Sequence, residues 1–515
     1  MGALPAPRRP ARDAGVAAGV TAVGVGLLYL AYTGQAPVVA LAGVTVLVWA
    51  AVTHSFFLRW DVLLIGLVVV IMFIPIGRYT LPGSLPFQLE PYRVIVAAIG
   101  VIWIMCLLIQ SDTRWRPSGF GGPLALIAVA VVLSDGVNGV RIHDLGVTTE
   151  VIKGLTYFAS YLLVMVLVAN VVRSESDIDA VLKALVGCGA FVAVATIVES
   201  RSGFNPFNLI HWVLPILSFD AAGVPSSLEA RGGEFRALAS AQHPIALGAV
   251  LALLIPPAIY LARRFGGARW WIACGALALG VLATVARTAT LMLIVEVLVL
   301  LALKPRTMIR LWPWALPFLV VVHIAAPGTL GSLKTSFFPK GGLVAEQQAG
   351  AGTYGSNRLA DLGPGLQEFK RQPYFGQGFG TRITEKRHPK YNAPILDNNW
   401  LAWMLEVGLL GCIGLLWLFG RAVRRLGKAA RRDPTERGWL YAGLAASVLA
   451  FAIGIATFDA LAFAQVTFVL FVLLGLSGAA LRLRAADQQL TVWLAPAERP
   501  RASIADVVPS NAQEH

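Results

Sequence analysis

The sequence is short of charge. Asp, Glu, Lys and Arg make up 14 % of its 515 residues, where a soluble domain has about 25 %. It also lacks any long stretch of mixed polarity. Together these shortages exclude a soluble enzyme, a disordered chain and a nucleic-acid reader, and they exclude a soluble domain hung on one membrane anchor. Cysteine is scarce too. The four, Cys106, Cys188, Cys274 and Cys412, are far apart and lie in or beside apolar runs. They read as small hydrophobes, not as a disulfide framework or a metal site. His243, His323 and His388 are isolated, and no His/Cys/Asp group has metal-ligand spacing. We therefore expect no catalytic metal and no cofactor. Short-period repeats are absent, as are the paired, broken helical segments that would favour a transporter of polysaccharide or lipid-linked glycan.

What the sequence has is apolar length. Hydrophobic residues make up 57 % of it, and the mean hydropathy is +0.70. Runs near 20 residues recur, long enough to cross a bilayer. They predict an all-α polytopic membrane protein of about fourteen transmembrane helices, within a range of twelve to fourteen. The spans lie near 14–33, 37–54, 61–77, 92–110, 121–134, 151–171, 178–198, 241–261, 270–286, 288–303, 311–327, 396–420, 438–457 and 460–480. The first follows Arg8, Arg9 and Arg12, as a signal peptide would. It lacks a convincing cleavage site and another span comes next, so it reads as a span.

The formal charge of +14 orients these spans. With the N-terminus inside, the inner loops carry Arg59; Arg114 and Arg116; Arg173; Arg263, Arg264 and Arg269; and Lys304, Arg306 and Arg310. The densest inner loop runs from Arg421 to Arg437, and Arg482 and Arg484 open the tail. Every inner loop is then basic, as the positive-inside rule requires, and both termini are cytoplasmic. Two outer segments are long, at about 199–239 and 328–395. The domain reading is an N-terminal bundle at 1–327 that includes the first outer segment, a large and partly helical outer loop at 328–395, C-terminal helices at 396–480 and a disordered cytoplasmic tail at 481–515. The stretch from Asn208 to Leu217 is too short to span and reads as interfacial or re-entrant.

Several outer-face residues carry possible chemistry. Arg236 stands just before an apolar span, with His243-Pro244 shortly after it, and Arg287 lies between two very apolar stretches. Interfacial anchoring is one reading of such arginines. The positive-inside tendency works against it, and the other reading is an aqueous cavity. The large loop has excess positive charge, including Arg358 and Arg382. Arginine forks suit phosphate oxygens, and a lipid-linked pyrophosphate would present two phosphates at this surface. Gly376-Gln377-Gly378-Phe379-Gly380 has no strand-helix context and no following lysine. It reads as a tight turn beside the membrane, not a nucleotide loop. Asp397-Asn398-Asn399-Trp400 precedes the next span. Asp397 is either the helix cap or a general base accepting a proton from an attacking sugar hydroxyl. Tyr354, Tyr374, Tyr391 and Trp400 are suited to stacking on sugars or to anchoring at the interface. Glu296 and Glu406, within spans, should have a buried partner or a cavity.

These pieces resemble the O-antigen ligase / O-antigen polymerase superfamily over roughly residues 60 to 480. Phe235-Arg236-Ala237 with His243-Pro244 is similar to its first arginine segment, and Thr284-Val285-Ala286-Arg287-Thr288 to its second. Gly355-Ser356-Asn357-Arg358-Leu359, with Pro373 and Gly376 to Gly380, is similar to its large periplasmic loop. Asp397 to Ala402, with Leu405 to Gly411, is similar to its loop-to-span junction. The resemblance implies a metal-independent, GT-C-like glycosyltransferase in the bacterial inner membrane, with its site facing the periplasm. Its donor would be a glycan on undecaprenyl pyrophosphate. Its acceptor would be a second lipid-linked glycan in a polymerase, or lipid A-core in a ligase. Membrane lipids and a chain-length regulator or other envelope-polysaccharide proteins would be its partners, and nucleic acid would not. Arg236, Arg287 and Arg358 would hold the pyrophosphate, with Arg287, Arg358 and Asp397 catalytic. His243, Tyr354, Arg382, Asn398 and Trp400 would complete the substrate site. Ligases typically carry histidine where this chain has Asp397, and His388 is out of register. The departure favours a polymerase of O-antigen, capsule or exopolysaccharide, or a ligase with another acceptor.

Overall fold

The computed structural model describes residues 59–81, 90–109, 115–221, 230, 231, 234–311, 361–382 and 396–494, with isolated positions between 313 and 331. The described part is a helical bundle. Its long helices are α1 (Trp60–Phe73), α2 (Pro91–Ile109), α3 (Gly121–Val137), α5 (Thr148–Val171), α6 (Glu175–Ser202), α8 (Pro244–Phe265), α9 (Ala268–Ala283), α10 (Arg287–Leu303), α13 (Asn399–Arg432), α14 (Glu436–Gly454) and α15 (Ala464–Leu494). Short helices α4 (Gly139–Asp144), α7 (Ile210–Val213), α11 (Pro305–Leu311) and α12 (Leu362–Phe369) lie between them. Seven helices, α2, α5, α6, α8, α13, α14 and α15, are long and apolar enough to cross a membrane. Eleven of the fourteen expected spans fall on described helices. Those at 14–33 and 37–54 lie outside the described residues, as does nearly all of 311–327. Helix α15 runs to Leu494, so the first part of the expected disordered tail is helix. Sheet is confined to two-residue ladders, one pairing Tyr79–Thr80 with Ser218–Phe219. The apolar stretch after Asn208 forms a 3-10 turn and the single-turn α7, with Trp212 and Val213 exposed.

Helix α8 is the central strut, and nearly all of its residues are buried. Its interior holds Pro256 and Pro257, which donate no hydrogen bonds and so release carbonyls one turn back. The hydroxyl of Ser447 on α14 donates to one of them, Leu253 O, at 2.8 Å. Small residues allow this approach, since a side chain on Gly443 would press on the Pro256 carbonyl. Backbone groups freed inside a membrane need such replacements, because lipid supplies none.

Helices alternate in direction, so their ends fall into two sets. One end is basic. There Arg482 donates to the last carbonyls of α5, at Ala169 and Val172, while Arg421 and Arg425 donate to Gly119. Arg264 pairs with Asp179 and Glu175, and Arg437 with Glu175 and Asp487. Cations at helix C-termini offset the negative pole of the helix dipole.

Glu296 is an exception to polar satisfaction. It lies mid-way along α10, 1 % exposed, and neither carboxyl oxygen has a hydrogen-bond partner among the described residues. The buried hydrogen-bond partner expected for it is therefore not seen among the described residues. A buried polar group without a partner costs about 1–3 kcal/mol. Glu296→Leu, of similar bulk, is expected to stabilise the protein by about that amount. Thermal unfolding in detergent checks this, and an unchanged or lowered midpoint would count against it.

Candidate functional site

The second set of helix ends gathers the arginine and acid segments on one loop. Residues 455–463, between α14 and α15, together with Gln465 in the first turn of α15, touch each of them. Asn399 at the start of α13 donates its backbone N–H to Ile455 O at 2.8 Å, and its side chain accepts from Leu461 N–H at 2.9 Å. Thr288 at the start of α10 hydrogen-bonds Thr457 at 2.7 Å. The His243 ring lies 5.6 Å from that of Phe463. Gln465 donates to Ser240 Oγ at 3.0 Å. Ser240 stands four positions after Arg236, Thr288 directly follows Arg287, and Asn399 stands two positions after Asp397. The loop thus draws Arg236, Arg287 and Asp397 to one end of the bundle.

Both arginine segments carry strained backbone. Among the described non-glycine residues only Ala239 (φ 41°) and Val285 (φ 48°) have positive φ. They stand three residues after Arg236 and two before Arg287. Such strain persists only where the surroundings over-determine it. At Ala239 they do. Glu199, at the end of α6, accepts from the N–H groups of Leu238 and Ala239. Arg78 and Asn205 both donate to the Ala239 carbonyl at 3.0 Å, and Arg78 also reaches Ala241 O. Glu199 and Arg78 are almost fully buried, and the sequence reading gave neither a role. A signal was present: each is charged and stands at the non-basic end of an apolar run.

The cap of α13 is Asn398, whose side chain accepts from Leu401 N–H at 3.2 Å. Asp397 is therefore not the cap. It is exposed, ahead of the helix. Asp459 stands near it on the 455–463 loop. Burial pushes the Asp459 carboxyl up to about 7, the charge of Asp397 adds to this, and the Ala462 N–H opposes it. The folded value lies above the ordinary carboxylate range, so the folded state holds this proton more tightly. Its contribution to stability is present in full below about pH 4 and is lost as pH rises through about 7. Asp459→Asn is expected to flatten that part of the stability–pH curve. Unfolding midpoints between pH 4 and 8 check this, and an unaltered slope would refute it.

The remaining site residues divide. Arg236 is buried after a two-residue strand, and Arg287 is the first residue of α10. His243 caps α8, its Nδ1 accepting from Ile245 N–H at 3.1 Å. The Trp400 indole donates to Ala452 O at 2.9 Å and its ring packs edge-on against Phe419, so its visible contacts are structural. Arg382 donates to Glu368 at 2.7 Å and lies within electrostatic reach of Glu406. Tyr354 and Arg358 lie outside the described residues.

Glu406 belongs to a break in α13. At Gly408 the backbone leaves the helix (φ 77°, ψ −167°). The Leu405 carbonyl, which Leu409 would satisfy in a regular helix, accepts from Gln377 N–H at 2.9 Å. Glu406 O accepts from Gly378 N–H at 3.1 Å, and Leu409 N–H turns to Pro373 O at 2.8 Å. The glycine motif, read from sequence as a tight turn, does form turns, with positive φ at Gly376, Gly378 and Gly380. It is inserted in the break and replaces the lost helical bonds. A Cβ on Gly376 would lie 2.4 Å from the Glu406 carbonyl, and one on Gly408 would lie 2.4 Å from Tyr374 O. The two glycines interlock backbone to backbone.

No curated protein matches the chain. A family model described as O-antigen ligase matches residues 272–416, a segment that runs from α9 through Arg287, Asp397 and the helix break. Over that segment, little more than a quarter of its length, the chain is similar to the O-antigen ligase family.

Proposed function

We propose that the protein is a glycosyltransferase of the bacterial inner membrane that acts on glycans carried by undecaprenyl pyrophosphate, with its site facing the periplasm and both termini in the cytoplasm. The gathering of Arg236, Arg287 and the Asp397–Asp459 pair at the less basic end of the bundle supports this reading above any other observation. In the proposed reaction an acceptor hydroxyl attacks the anomeric carbon of the donor. Asp397 takes the hydroxyl proton. The bond from that carbon to pyrophosphate oxygen breaks, and Arg236, Arg287 and Arg358 stabilise the charge on the departing lipid pyrophosphate. Arg382 and His243 lie in segments bordering the site, and Tyr354 would stack on a sugar. The fold reading is GT-C-like.

Polymerisation is the preferred outcome, because an aspartate stands where ligases of the family carry histidine. Transfer of a finished glycan to lipid A-core or another acceptor is the second reading, favoured by the description of the matching family. Incubation of the purified protein with lipid-linked oligosaccharides separates them. A ladder of lengthening products indicates polymerisation, and single transfer to a different acceptor indicates ligation. No product with any lipid-linked donor would sink both.

A further inference from the structure

Arg382 is a buried cation with donors to spare. Its side chain is 8 % exposed and its Nη2 is taken by Glu368. Among the described residues its Nε and Nη1 have no partner. Buried N–H groups left unmade are costly, more so when charged, and two of them on one guanidinium call for an acceptor. A tetrahedral oxyanion answers both at once, since a guanidinium presents its donors as a fork.

What holds Arg382 there is the neighbouring helix end. The last turn of α3 and the start of α4 carry four polar residues, and all bind the loop inserted in the α13 break. Ser134 Oγ donates to Glu406 O at 2.6 Å and accepts from Gly378 N–H at 3.2 Å. Asp135 accepts from Phe379 N–H at 2.6 Å. Asn138 donates to Gly376 O at 3.0 Å. Arg141 donates to the Gln377 side chain at 2.8 Å. Two residues beyond, Thr381 closes the turn onto Gly378 O, and the Arg382 N–H reaches Glu406 Oε1 at 3.3 Å. The bonds form a chain from α3 to the backbone of Arg382, and Glu368 holds its guanidinium.

We infer that Asp135, Asn138 and Arg141 are positioning residues that clasp the 373–382 loop into the broken helix and thereby aim the two unclaimed N–H groups of Arg382 at a phosphate of the substrate. This deepens the proposed reaction and rests on it for the identity of the phosphate. None of the three positioning residues touches substrate.

The test uses the full-length protein in detergent, with a short-chain polyprenyl pyrophosphate and inorganic pyrophosphate as probes. Arg382→Ala should weaken binding of the lipid pyrophosphate by about tenfold or more, the worth of hydrogen bonds to a charged group. Asn138→Ala and Arg141→Ala should weaken it by at least about fivefold, a shift of roughly 1 kcal/mol. In glycan transfer they should raise KM for the donor more than they lower kcat, and Arg141→Lys should recover part of the loss. A disulfide between Arg141→Cys and Gln377→Cys reports docking of the loop without reference to activity, and Asn138→Ala should slow its formation. If Asn138→Ala does not accumulate, Arg141→Ala carries the same test at a half-exposed side chain. Binding within about twofold of wild type in both variants, where fivefold is about 1 kcal/mol, would overturn the positioning role. So would a wild type that binds neither probe. A wild type that binds polyprenyl pyrophosphate but transfers no glycan would overturn the proposed reaction and leave the positioning test standing.

Discussion

Asp397→Asn is expected to lower the rate of glycan transfer by roughly 10²–10⁴-fold, the usual worth of a general base, with little change in donor binding. The amide keeps the size of the carboxylate but cannot take a proton. The substitution should also leave the fold intact. The helix cap is supplied by Asn398, and the ties to Ile455 and Leu461 are supplied by Asn399. Asp397 is exposed while Asp459 is partly buried, so Asp397 is the more accessible of the two carboxyl groups. Two measurements decide the matter: initial rates with a lipid-linked donor, and the thermal midpoint of each variant. A rate within about threefold of wild type, well short of what a general base supplies, would remove Asp397 from the reaction.

Gly408→Ala and Gly376→Ala are expected to have the largest effect on folding. Each glycine has positive φ, and at Gly408 the ψ of −167° lies in a region that is essentially glycine's alone. The new methyl would meet backbone atoms at 2.4 Å, and backbone cannot swing aside as a side chain does. Either change must expel the 373–378 loop from the break. That would leave the Leu405 carbonyl unpaired in the bundle and the Glu406 carbonyl with Ser134 as its one remaining described partner. The combined cost is expected to be about 4 kcal/mol or more, the range in which single substitutions prevent accumulation. Gly420→Ala is the matched control. It lies in the same helix with open space around its Cβ position, and should be neutral or stabilising by about 0.5–1 kcal/mol. Yield and unfolding midpoint of the three variants provide the comparison. Wild-type stability in Gly408→Ala would show that the interlock is not required.

Much of the bundle was legible because apolar run length and loop charge are local properties of the chain. The span at 178–198 falls within α6, all but the first three residues of 241–261 lie in α8, and Arg482, read as a cytoplasmic basic residue, caps α5. Arg236, Arg287 and Asp397 were legible as candidates because each interrupts an apolar pattern. What brings them together was not. The loop at 455–463 is a short and largely apolar gap between two spans, with Thr457 and Asp459 as its polar residues, and nothing in its residue types announces three partners drawn from distant segments. The helix break was equally hidden. Gly408 sits in an apolar run interrupted by Glu406, and its partner motif lies some thirty residues earlier. A sequence pattern does not record which backbone groups a distant loop will satisfy. Glu199 and Arg78 escaped for a similar reason, since their work is to hold strained backbone whose φ angles only the fold reveals.

The 455–463 loop also bears on how the molecule is made. A chain leaves the ribosome N-terminus first, and its parts fold as they become available. Arg236 and Arg287 are therefore synthesised long before Thr457 and Gln465, which tie down their segments. Until α14 and α15 have followed, those segments have no fixed arrangement with respect to Asp397. The bonds that gather these segments at one end of the bundle are completed by its last hairpin, α14 and α15, and so form late in synthesis.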